Sequence, residues 1–230
     1  MNPHRSPSPG RQLRLPLSRA PSYRRGDFII SAGNVEALAA LDAWPAWAGG
    51  RLALVGPEGS GKTHLARMWA RAVGAMIAKP DGIDISQLAG QPVLLEDADR
   101  GLDDATLFHL INMADAGGSL LVTARVAPRD WPTDLPDLRS RLNALMVAKL
   151  EAPDDVILQG VLRKFFRDRN IKPDDEVLPY LVRRIERSIP AALAVVSRLD
   201  EAADAAGRKV NSALVREVLE GEDESLDLFE

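Results

Sequence analysis

The chain has 230 residues, enough for one good core or for one larger and one smaller domain. Its net charge of -4 and pI of 5.5 argue against a dedicated DNA-binding protein, which carries a basic excess. It contains no cysteine, which excludes disulfides and cysteine zinc sites and fits a cytoplasmic setting, and no apolar run approaches the roughly 18 residues that span a bilayer.

Residues 1–25 are rich in Pro, Ser and Arg and contain no acid. They lack the amphipathic face of an organelle leader, so a flexible tail is expected. From residue 26 to about 150, short apolar runs alternate with amphipathic segments, the pattern of an α/β domain built on a parallel sheet. The candidate strands are 52–55, 75–78, 93–96, 120–123 and 145–149, each nearly continuous in apolar residues as in strands covered on both faces. Beyond Pro153 the periodicity is helical only. Helices are expected from about residue 156, then at 177–186, 190–206 and 212–220, giving a small all-α domain over 151–220. An acidic, flexible end follows at 221–230.

Between the first strand and its helix lies Gly56-Pro57-Glu58-Gly59-Ser60-Gly61-Lys62-Thr63, with His64 opening the helix. Glycines let backbone N–H groups turn inward around phosphate oxygens, and the helix N-terminus adds partial positive charge. Lys62 can reach the β- and γ-phosphates and the Thr63 hydroxyl can ligate Mg²⁺. This is a P-loop for ATP or ADP. The third strand ends in Glu96-Asp97, acids able to hold Mg²⁺ through water and to position an attacking water. The fourth ends in Thr123, either a sensor of the γ-phosphate or a plain strand-end hydroxyl. Before the last strand, Arg141 lies in Leu138-Arg139-Ser140-Arg141-Leu142. It is suited to a neighbour's nucleotide, although a surface arginine in a salt bridge is the default for such a position.

Taken together, these elements resemble the AAA+ ATPases, and within them the clade of the bacterial replication initiator DnaA. The resemblance runs from about residue 28 to 220. It makes 56–63 the Walker A motif, 93–97 the Walker B motif, Thr123 sensor 1 and 140–142 the arginine-finger box. It implies a five-stranded parallel sheet, a helical lid and nucleotide-dependent contact between subunits. An initiator would carry a helix-turn-helix domain beyond the lid and a longer insertion than residues 79–92. The segment Gln12-Leu13-Arg14-Leu15-Pro16-Leu17 is similar to the peptides that dock on the sliding clamp, the beta subunit of DNA polymerase III. A proline-stiffened segment there presents leucines to an apolar pocket, with Gln12 as polar anchor. Ser225-Leu226-Asp227-Leu228-Phe229 is a weaker version of the same pattern, with serine where glutamine is usual.

A clamp peptide on a shortened initiator ATPase resembles the Hda-type regulatory inactivators of DnaA. That resemblance implies bound ADP or ATP with Mg²⁺, DnaA and the clamp as partners, DNA met only through the clamp, no membrane, and a possible homodimer. It makes Arg141 a finger acting in trans on the initiator's ATP and gives Asp97 a catalytic place. Two positions depart from the family pattern. Glu96 stands where an aspartate is usual, and Pro190 stands at the sensor 2 arginine, with Arg187 or Arg184 as substitutes. Weak hydrolysis by the chain itself is expected. The competing reading is an autonomous AAA+ ATPase such as a helicase loader; a small-molecule kinase would want its arginines in a lid beside the P-loop.

Overall fold

The five apolar runs pair into one all-parallel sheet in the order β2-β3-β4-β1-β5. The strands are β1 (Arg51–Val55), β2 (Met76–Ala78), β3 (Pro92–Leu95), β4 (Ser119–Ala124) and β5 (Val147–Lys149). The structure is a computed structural model and describes residues 22–78, 88 and 90–226. Each expected strand is present, displaced by a residue or two at its ends. The segment Gln12–Leu17 lies outside the described residues, and 225–229 runs past their end.

Strand alternation divides the core into two layers. Leu52, Leu54, Leu94 and Leu121 face one way and pack with Leu38, Leu41, Leu65 and Trp69. Those partners come from α1 (Val35–Asp42) and α2 (Lys62–Val73). Ala53, Val55, Val93, Leu95, Leu120 and Val122 face the other way, against Leu107, Leu110, Ile111, Leu138 and Leu142. These lie on α3 (Asp104–Asp115) and α4 (Pro136–Asn143). On the first layer Trp47 stacks on Trp69 with ring centroids 5.1 Å apart, an aromatic pair that adds to the burial of both rings.

A separate apolar cluster holds the remaining helices, α5 (Asp155–Asp168), α6 (Val177–Val182), α7 (Ile189–Ala206) and α8 (Ser212–Leu226). Phe166, Leu158, Leu162, Leu181, Val196 and Val215 fill its centre. Asp154 caps α5 by accepting from the Ile157 N–H, and Ser188 caps α7 by accepting from the Ala191 N–H at 3.2 Å. Helix α6 stops at Val182, short of the expected residue 186. The Arg184 N–H bonds back to the Leu181 carbonyl, making a turn after which Ser188 opens α7. No described helix is long and apolar enough to cross a membrane.

Candidate nucleotide site

In a parallel sheet, ligands bind outside the carboxyl ends of the strands. There β1 leads into Gly56, whose N–H donates to the Ala124 carbonyl of β4. A Cβ on Gly56 would run into the Leu150 carbonyl oxygen, so the chain beside β5 requires glycine at this point. Gly59 and Gly61 take left-handed backbone at φ +70° and +97°, which turns the loop and starts α2. Pro57, Glu58 and Thr63 are exposed, while Ser60 is buried, and the Ser60 hydroxyl has no hydrogen-bond partner in the protein.

Lys62 is 8% exposed. Its Nζ donates to the carbonyls of Gly56 at 2.8 Å and Pro57 at 2.7 Å, so the ammonium is folded under its own loop. Burial holds its pKa below the ordinary lysine value, opposed by the charges of Asp97, Asp99 and Glu58. The small helical unit touches this loop directly. The Ile189 N–H donates to the Gly59 carbonyl at 3.1 Å, and a Cβ on Gly59 would lie 2.6 Å from Ser188 Cβ and 3.0 Å from Pro190 Cδ. Pro190 is therefore the α7 residue set against the P-loop. Arg187 donates to Asp155 of α5 and Arg184 stacks over Tyr180 at 4.4 Å, so both arginines are engaged elsewhere.

Glu96 follows β3 and is 9% exposed. Both its oxygens accept from Arg67 of α2: Nε at 3.2 Å to each and Nη2 at 2.6 Å to Oε2. That hydrogen bond is the leading cause of a raised Arg67 pKa. Asp97 is exposed and has left-handed backbone at φ 51°. Its N–H donates to Thr123 Oγ1 at 3.0 Å. Thr123, 1% exposed, thus anchors the acidic turn. Asp99 accepts the N–H groups of Arg125 and Val126 through Oδ2, and Arg125 closes an ion pair with Glu58 of the P-loop. His64 is set between Tyr23 and Phe28, 5.7 Å from each ring. Burial lowers its pKa, and its Nε2 has no hydrogen-bond partner.

This donor set fits phosphate: a cradle that only glycines allow, a buried lysine, an unpartnered Ser60 hydroxyl and the N-terminus of α2. It does not fit a divalent ion held by Thr63 and Glu96, because Arg67 claims the Glu96 carboxylate. Among the described residues no three His, Asp or Glu side chains gather as metal ligands.

Arg141 lies elsewhere. It donates from Nη1 to Asp115 at 2.7 Å and covers Phe108 at 5.0 Å, and its side chain is 34% exposed. Asp115 also accepts from Arg51 at 3.1 Å. Arg51 opens β1, so this cluster sits at the amino ends of the strands, about 15 Å along β1 from the P-loop. The structure therefore brings together Gly56–His64, Glu96, Asp97 and Thr123, and sets Arg141 apart. Arg67, Asp99, Tyr23, Phe28 and the 188–190 contact were not read from sequence. The one available signal was an arginine placed among the apolar residues Leu65, Met68 and Trp69 of α2.

Residues 158–219 match the family model of the Hda lid domain. An uncharacterized protein of Haemophilus influenzae is 28% identical over 182 residues, 71% of this chain and 79% of that protein. Domain III of the Thermotoga maritima replication initiation protein DnaA has a similar fold. It matches with TM-score 0.75 and 21% identity over 88% of this chain and 97% of that one. AMPPCP-bound DnaA from Aquifex aeolicus matches with TM-score 0.62 and 18% identity, over 77% of this chain and 65% of that one.

Proposed function

Because the chain is a Hda/DnaA-related AAA+ protein, we propose that it is a nucleotide-controlled negative regulator of replication initiation. In this reading ADP or ATP occupies the P-loop, Gln12–Leu17 docks on the DNA-loaded sliding clamp, and Arg141 enters the nucleotide site of the initiator DnaA in trans. The initiator's ATP is then hydrolysed and initiation stops. The observation that carries the reading is the position of Arg141. It stands at the opposite end of the sheet from its own P-loop and is held there by an ion pair about one-third exposed on each side.

The chemistry follows from the contacts. Incoming phosphate takes Lys62 Nζ from the Gly56 and Pro57 carbonyls and collects backbone N–H groups at the start of α2. Because the Gly59 carbonyl is bonded to Ile189 at the head of α7, any rearrangement of the loop is felt by the helical lid. Releasing Arg141 costs little, since exposed ion pairs contribute about 0–1 kcal/mol, and Asp115 keeps Arg51 as a partner. A planar guanidinium delivered to the transferring phosphoryl group accelerates hydrolysis by roughly 10³–10⁵-fold.

The test is initiator ATP turnover on clamp-loaded DNA with wild type and Arg141→Ala. Stimulation should vanish in the variant while clamp capture persists, and undiminished stimulation would sink the reading. Pull-down with Gln12→Ala and Leu13→Ala should lose the clamp. Rapid turnover by the isolated protein, independent of the clamp and abolished by Lys62→Ala, would favour the autonomous ATPase instead.

A further inference from the structure

We infer that Arg67 stands in for a divalent cation at Glu96, so that this chain holds a nucleoside diphosphate without a metal ion. The inference rests on the nucleotide reading of the P-loop. A carboxylate carries one negative charge, and at Glu96 both oxygens already face the Arg67 guanidinium in a fork that suits that pairing. An incoming metal would have to displace a hydrogen-bonded cation. It would leave Arg67 with the Tyr23 ring, 5.3 Å away, as its remaining described partner.

The neighbouring acids are engaged in the site as well. The Asp97 charge acts on the Lys62 ammonium from a turn whose N–H is tied to Thr123, and one Asp99 oxygen is spent on two backbone N–H groups. The charge of the phosphates is met by the protein itself. Lys62 is buried beneath the loop, the Ser60 hydroxyl lacks a partner, and α2 presents its N-terminus.

The experiment measures binding of a fluorescent ADP analogue to the full chain in excess Mg²⁺ and in EDTA. Wild type should bind with dissociation constants within about twofold of each other. Arg67→Ala and Arg67→Gln remove the cation from Glu96 and should bind at least about tenfold tighter with Mg²⁺ than without it; the uncharged glutamine keeps part of the side chain's packing should alanine fail to fold. Electron paramagnetic resonance of Mn²⁺ gives a second readout, with the ion remaining free beside wild type and ADP and becoming immobilised beside the variants. Mg²⁺-dependent binding or immobilised Mn²⁺ in wild type overturns the inference, as does metal-independent binding in both variants. Absence of ADP binding by wild type in either buffer overturns the nucleotide reading and this inference with it.

Discussion

At the carboxyl end of the sheet, Lys62, Glu96 and Thr123 are buried and spend their polar atoms on the protein itself. At the amino end, Arg141 is one-third exposed and shares one carboxylate with Arg51. The first arrangement is built to hold a shape, because each of its groups has a partner that must be displaced before a ligand is met. The second keeps a charge in reserve, since a screened surface pair is cheap to open. In the proposed function, one end controls conformation while the other acts on a neighbouring molecule.

That contrast fails first if the two ends prove equally tolerant of change. Gly56→Val should be the most damaging substitution, because its side chain meets the Leu150 backbone. A loss of about 3 kcal/mol or more is expected in denaturant melts. Gly59→Ala should cost about 1–3 kcal/mol. It both strains a left-handed residue and pushes on Ser188 and Pro190, so protease cleavage should rise in the helical lid.

The buried end should also respond to acid through His64, whose pKa burial depresses. The unfolded chain takes up a proton below about pH 6.5 while the folded form stays neutral. This contribution to stability is complete above that pH and is lost as the pH falls from there toward the folded value. His64→Gln should flatten the acid limb of a stability–pH profile. The smallest effect belongs to the amino end: Arg141→Ala should change stability by less than about 1 kcal/mol. A larger loss would mark Arg141 as structural.

What sequence could read was local. The P-loop is a contiguous spacing between a strand and a helix, and the strands announce themselves as apolar runs, so both needed only neighbouring residues. The contacts that give the site its character join distant positions. Gly59 meets 188–190, Arg67 meets Glu96, and Thr123 meets the backbone of Asp97; none leaves a periodic or spaced signature. Glu96 was readable as an acid at a strand end, but its partner depends on how α2 lies across β3. For Arg141, a surface ion pair was the default expectation from the residues, and the ion pair is there; its partner Asp115 and its distance from the P-loop needed the topology.

The most direct test measures both ends in the same variants. Nucleotide affinity and stimulation of the initiator's ATP hydrolysis are recorded side by side for Lys62→Ala and Arg141→Ala. The separation described here predicts that Lys62→Ala loses nucleotide binding by on the order of 100-fold, while Arg141→Ala binds nucleotide like wild type yet no longer stimulates. If Arg141→Ala weakens nucleotide binding as much as Lys62→Ala does, or stimulates as well as wild type, the division between a switch at one end and a lever at the other is contradicted.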